Sequence, residues 1–218
     1  LIASLFLPSS AMAHKPLFVE EQPSGFEQAF RIPDANVSYA TYSDLAAAGE
    51  VDLFALTLTE ETPFYARISV PKREGHADFA PALVLIGPGL PTSNTPPNFP
   101  IELSREQGRA IFLPEGEADE FFEPFTQTTL FQRQWISRTL APGTYYLAVY
   151  DPAGKTGKYV LATGEKEAFR LTDWLTFPAT WWKVRMWYDP VQTWLLLGGA
   201  AAAVAGITYL IRMRRDDE

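Results

Sequence analysis

The 218-residue chain carries 18 Lys/Arg against 26 Asp/Glu and no cysteine. That excludes a disulfide framework, a thiolate metal centre, a cysteine nucleophile and a blue-copper site, which needs a cysteine ligand. Residues 14–167 hold 12 Lys/Arg against 21 Asp/Glu, a net of −9 with no basic stripe, so phosphate repulsion excludes a nucleic-acid partner. Aromatics at 14%, with 18 prolines and 14 glycines, favour an all-β domain over a helical bundle.

The chain opens on the apolar run LIASLFLP, followed by Ala11-Met12-Ala13, which supplies the small residues at −3 and −1 that a signal peptidase requires. Residues 1–13 are expected to be a signal peptide, truncated at its start and cleaved after Ala13. His14 then becomes the mature N-terminus. The other reading is a short buried N-terminal segment.

Eight short apolar runs between turn signals follow. They are VSYATY (37–42), VDLFALTL (51–58), PFYARISV (63–70), ALVLIG (82–87), RAIFLP (109–114), WISRTL (135–140), TYYLAVY (144–150) and KYVLATG (158–164). In the second, Val51, Leu53 and Ala55 are read on one side and Asp52 and Thr57 on the other, as in a half-buried strand. PAGKTGK, with Gly154 and Gly157, is a hairpin loop. No long helical periodicity precedes Ala168, so residues 14–167 are expected to form an antiparallel β-sandwich or jelly roll.

Residues 140–164, LAPGTYYLAVYDPAGKTGKYVLATG, contain a glycine-led turn, a Tyr-rich strand, a Gly loop and a final G-x-Y-x-L strand. Gly143, Tyr145, Tyr146, Val149, Gly157, Tyr159 and Leu161 fill those roles. The pattern resembles the closing hairpin of bacterial pre-peptidase C-terminal-type domains, secreted jelly-roll modules. Asp52 and Phe54 in GEVDLFALTL are similar to that family's x-D-x-F/Y-x-F strand. The resemblance covers about half of the body, and its motifs are fold-determining. It implies a non-catalytic domain that assists binding or stability. The chain departs from the family in its C-terminal anchor and in the proline-rich segment at residues 87–100.

That segment, with five prolines, is read as a loop crossing between sheets, or as a partner-binding surface pre-ordered by its prolines. In the acidic loop PEGEADEFFEPF, Glu115, Glu117, Asp119, Glu120 and Glu123 offer oxygen ligands for calcium, but the EF-hand spacing is missing. A solvated loop is the plainer reading.

Residues 168–193 form a tryptophan-rich neck. Trp174, Trp181, Trp182, Trp187 and Trp194 are five of the six tryptophans, and tryptophan prefers the headgroup layer. Residues 169–188 are expected to lie in the interface as short amphipathic turns broken at Pro178. These aromatics suit lipid or a neighbouring membrane subunit. Residues 194–211 are an uncharged run of 18, enough for one transmembrane helix. Arg212, Arg214 and Arg215 in the tail, residues 212–218, place that end in the cytoplasm and the body outside. Gly198, Ala202 and Gly206 align on one face, where a membrane-protein partner or a second copy can approach.

The chain has two histidines. A mature N-terminal His14 can chelate through its amine and ring Nδ1, and a second histidine completes the three-nitrogen site of a copper histidine brace. His76, in KREGHADF, is the sole candidate, with Asp78 or Glu74 as a further ligand. Sixty-one residues separate the histidines, and nothing in the spacing forces them together. There is no G-x-S-x-G, phosphate loop or dinucleotide fingerprint, and nothing selects a carboxylate pair for glycoside hydrolysis. The expected function is that of a membrane-anchored, non-catalytic binding or accessory protein with no cofactor. A copper-binding protein using His14 and His76 is the alternative, and a copper-dependent oxidase a more distant third.

Overall fold

Two β-sheets and two helices account for the ordered elements of the computed structural model, which describes residues 14–73, 75, 76, 78–92, 96–124, 126–168 and 173–216. The expected signal peptide lies outside the described residues. The chain divides into two compact units between residues 171 and 172.

The strands of the body are β1 (Lys15–Phe18), β2 (Phe30–Arg31), β3 (Tyr39–Leu45), β4 (Val51–Leu58), β5 (Thr62–Pro71) and β6 (Ala82–Ile86). After them come β7 (Arg109–Phe112), β8 (Asp119–Glu123), β9 (Thr128–Leu140), β10 (Gly143–Tyr150) and β11 (Gly157–Thr163). A six-stranded sheet runs β1-β3-β11-β5-β9-β8, and a five-stranded sheet runs β2-β4-β10-β6-β7. All eight expected strands are present. The three unforeseen ones are edge strands. β1 and β2 add in parallel to β3 and β4, and four and two residues are too short to show an alternation. β8 lies inside the acidic segment that reads as a loop.

The two sheets face each other across a core of Phe54, Leu56, Leu85, Leu147 and Val149 from one and Phe64, Ile68, Ile136, Tyr159 and Leu161 from the other. Each fully buried side chain of this kind contributes about 1.5–3 kcal/mol. The five-stranded sheet is buried on its outer face too, where Val51, Leu53, Val84, Ala148 and Tyr150 form a second cluster under Phe26, Phe99 and Ile101. The half-buried reading of residues 51–58 is thereby corrected. Asp52 shares a face with Phe54 and Leu56 and points into the core, while Thr57 lies on the Val51 face by strand alternation.

The proline-rich segment connects β6 to β7, which are antiparallel neighbours in one sheet, so it does not cross between sheets. It folds over the outer face of its own sheet. Tyr150 donates its hydroxyl to the Pro97 carbonyl at 2.9 Å, Asn98 donates to the Pro152 carbonyl at 2.9 Å, and the Phe99 ring meets Tyr150 edge-on at 5.0 Å. At its start Gly87 lets the Tyr145 ring lie flush on the backbone, since a Cβ there would fall 2.2 Å from the ring.

The second unit is α1 (Asp173–Tyr188) and α2 (Pro190–Asp216). The expectation of short amphipathic turns broken at Pro178 is corrected here. α1 is continuous through Pro178, because proline's fixed φ is itself helical and only one ladder hydrogen bond is forfeited. Its apolar residues are spread around the helix instead of gathered on one stripe. The break falls at Asp189, the residue before Pro190, a position at which proline disfavours the α region. Asp189 Oδ1 accepts the Gln192 N–H at 2.9 Å, so it caps a helix that has proline at its first position.

Gly164 closes β11 with φ +68°, and a Cβ there would fall 2.2 Å from the Val37 carbonyl oxygen. Gly164→Ala is expected to cost about 2 kcal/mol, roughly 4–8 °C in Tm. Gly49→Ala, also at positive φ but with nothing within 4 Å, should cost about half as much. Thermal melts of the full chain in detergent check both; equal losses would show that the Val37 contact is unimportant.

Candidate functional site

The structure does not bring the expected copper ligands together. His14 precedes β1 with its ring Nδ1 2.5 Å from the Ser38 hydroxyl, and burial pushes its imidazole below the ordinary range. Lys15, the next residue, is in register with Tyr39, the first residue of β3. His76 sits in the turn before β6, edge-on to Phe79 at 6.3 Å, and its ring lies 3.0 Å from where a Cβ on Gly157 would be. Gly157 pairs with Leu45, the last residue of β3. The two histidines thus flank opposite ends of the β3–β11 pair, roughly 20 Å apart at about 3.3 Å per residue. No single ion bridges that gap. Asp78 stays on the His76 side, where its Oδ2 lies 3.5 Å from the Lys155 ammonium; Glu74 lies outside the described residues. Among the described residues no group of three His, Asp or Glu is placed to hold a metal. Two carboxylates of the acidic segment are engaged elsewhere. Glu120 pairs with Lys72 at 2.6 Å, and Glu123 accepts the Thr126 N–H at 2.6 Å.

The chemistry-bearing cluster that does form is centred on Asp52. Its Oδ2 accepts the Ser43 hydroxyl at 2.7 Å and the Tyr159 hydroxyl at 2.5 Å, while Oδ1 accepts the Gln22 amide at 2.7 Å. Asp52 comes from the five-stranded sheet, and Ser43 and Tyr159 come from neighbouring strands of the six-stranded one. Burial pushes the Asp52 carboxyl from 3.8 up to about 6, against the pull of the Tyr159 and Ser43 hydrogen bonds. Burial and the adjacent carboxylate hold the Tyr159 phenol well above its usual range, so it stays a donor. Asp52 and Tyr159 are 0% exposed. A carboxyl and a hydroxyl side by side suggest proton transfer, yet no substrate reaches them. The cluster joins the sheets.

A surface groove of about 400 Å³ opens elsewhere on the body. Its walls are residues 111–115 and 117–119, which run from the end of β7 to the first residue of β8, residues 132–135 of β9, and Arg67 of β5. The cause is a bulge. Arg67 is in register with Trp135 and Ser69 with Gln132, so Arg133 and Gln134 together oppose the single Ile68, which bends the strand and re-aims its side chains. Gln134 donates to the Pro81 carbonyl and Arg67 Nη1 to Gln132 Oε1 at 2.8 Å. Ile136 goes into the core, and Trp135, its neighbour, is left 52% exposed. Sequence reasoning missed this groove. Its one signal was the run of three polar residues, Gln132-Arg133-Gln134, between the apolar pairs Leu130-Phe131 and Trp135-Ile136, which a simple period-two strand does not show.

The membrane-facing residues expected from the sequence lie on the two helices. Trp174, Trp181, Trp182 and Trp187 are on α1, and Trp194 is on α2, where it meets Trp182 edge-on at 5.1 Å. Gly198, Ala202 and Gly206 lie on α2, with open space where a Cβ on either glycine would project.

No family model matches the chain, and no curated protein matches it. Among solved structures it is similar to the pre-peptidase C-terminal domain of a collagenase from Bacillus anthracis. Identity is 16%, covering 66% of this chain and 98% of that one, at a TM-score of 0.36. It is also similar to PliG of Aeromonas hydrophila, a periplasmic inhibitor of g-type lysozyme. There identity is 12%, covering 70% and 98%, at a TM-score of 0.32. The first is the domain type that the closing hairpin resembles in sequence.

The raised pKa of Asp52 fixes the sign of a pH effect. Between about 4 and about 6 the native carboxyl binds more proton than the unfolded one, so stability falls as pH rises through that window and then levels off. The contribution is about 3 kcal/mol. Asp52→Asn should flatten this part of the profile, read as urea midpoints of the full chain at pH 4.5 and 7. Parallel profiles for the variant and the parent would contradict the assignment.

Proposed function

We propose that the chain is a membrane-anchored binding protein with no catalysis of its own, its β-sandwich held outside the cytoplasm and beside a membrane partner. One observation carries the reading. Among the described residues a single helix, residues 190–215 within α2, is long and apolar enough to cross a membrane, and none of its apolar window is buried. Twenty-six residues rise about 39 Å as a helix, against a hydrocarbon core of about 30 Å. Leu195, Val204, Ile207 and Leu210 are all more than half exposed, an unfavourable arrangement in water and a favourable one in lipid. The Thr208 hydroxyl, within the run, donates to the Val204 carbonyl at 2.8 Å, so it brings no unsatisfied group into the hydrocarbon.

The orientation rests on Arg212, Arg214 and Arg215 at the end of the apolar run. The neck supports a partner or headgroup contact, because its tryptophans precede the span at the depth where indole rings settle. The non-catalytic reading is supported by the Asp52 cluster, whose reactive groups are spent on joining the sheets.

The full chain should sediment with membranes and resist alkaline carbonate, and a chain ending at residue 189 should be released. Because the chain contains no cysteine, single cysteines at Lys155 and Asp216 report sidedness. An impermeant maleimide should label the first in intact cells and the second only after lysis. Release of the full chain by carbonate would refute the anchor; the opposite labelling would refute the orientation.

A further inference from the structure

The geometry points to the groove beside Trp135 as a binding site for a neutral glycan, an inference that rests on reading the body as a binding module. Three observations select that ligand class. The groove holds about 400 Å³, within the range of about 300–1,000 Å³ usual for small-ligand sites, and it is open at the surface, so a chain longer than the groove can pass through it. Its wall carries a 52% exposed indole. Trp135 follows directly on a bulge, which is a frequent means of aiming a side chain at a site. An exposed indole offers a flat apolar face with a polarised edge, suited to the C–H face of a pyranose ring.

The charges decide between ligand classes. Arg67 and Arg133 lie in the same groove as Glu115, Glu117 and Asp119. An anionic ligand meets three carboxylates there, and a cationic peptide meets two guanidinium groups. Neither sign is favoured. A neutral polyol uses both, because each hydroxyl can donate to a carboxylate and accept from a guanidinium, and hydrogen bonds to charged groups are the stronger kind. Arg67 is already oriented by its 2.8 Å bond to Gln132, which lowers the ordering cost of binding. Apolar stacking on one wall and charged hydrogen-bonding groups on the others match a ring with one apolar face and a rim of hydroxyls.

The test is calorimetric titration of the full chain, in a zwitterionic detergent without a sugar headgroup, with cellohexaose, chitohexaose, maltohexaose and mannohexaose. Saturable binding of at least one hexasaccharide is expected. Trp135→Ala should weaken it tenfold or more, Trp135→Tyr should restore most of it, and Glu117→Gln should weaken it several-fold. The exposure of Trp135 leaves the fold intact in these variants, which thermal melts verify. No saturable binding to any of the four sugars would overturn the inference. So would binding that Trp135→Ala leaves unchanged, or tighter binding to a heparin hexasaccharide or to hexalysine. Membrane extraction of the same preparation reads the anchor separately, so failure of the glycan site and failure of the anchored reading are distinct results.

Discussion

Enclosing a carboxylate between two β-sheets costs several kcal/mol unless other groups replace its water, and this body is assembled around one. Asp52 is 0% exposed, and the hydroxyls of Ser43 and Tyr159 and the amide of Gln22 take over its hydration. Each donor comes from a different stretch of chain, and two belong to the opposite sheet. The sheets therefore cannot slide on one another by a residue without leaving a buried carboxyl unsatisfied, a penalty added to that of repacking the aliphatic side chains. Apolar contacts supply most of the adhesion, and the carboxylate supplies the register. The backbone around it is held as well, since the Leu53 N–H donates to the Pro23 carbonyl at 2.7 Å, tying the segment that carries Gln22 to β4.

That arrangement explains the proline-rich cover. With its inner face committed to the core, the five-stranded sheet still presents Leu53, Val84, Ala148 and Tyr150 on its outer side. A segment dense in proline loses little backbone entropy on ordering, and this one closes over that face with Phe99 and two hydrogen bonds from Tyr150 and Asn98. Arg109 anchors its base by donating to the Thr92 carbonyl at 2.9 Å. A segment that reads as a crossing loop or as a partner-binding surface packs instead on the outer face of its own sheet.

What could be read from the sequence divides along physical lines. Eight strands were legible because alternation and turn residues are local properties. The long apolar helix was legible because eighteen uncharged residues followed by arginines require no tertiary information. β8 was not, because its Asp, Glu and Phe composition carries no alternation of its own and its place as a strand is set by pairing with β9. The direction in which Asp52 points was misread, since period-two patterning cannot say whether a polar residue faces water or buried donors 107 residues away in the chain. The separation of His14 from His76 depends on strand register, and the groove on a two-residue bulge. Both are set by pairing between distant segments.

The place of β11 has a kinetic consequence. It lies between β3 and β5, yet it is the last strand of the body to be synthesised. Until residues 157–163 emerge, β3 and β5 each present an unpaired edge, the feature by which strands recruit other chains. The final step therefore inserts a strand into the interior of a sheet against a large loop-closure entropy, the kind of long-range pairing that folds slowly. It also brings Tyr159 to Asp52, so the buried carboxyl gains its second hydroxyl donor only when the last strand is in place. A nascent or truncated body would be an aggregation hazard in proportion to the time it spends without its last strand.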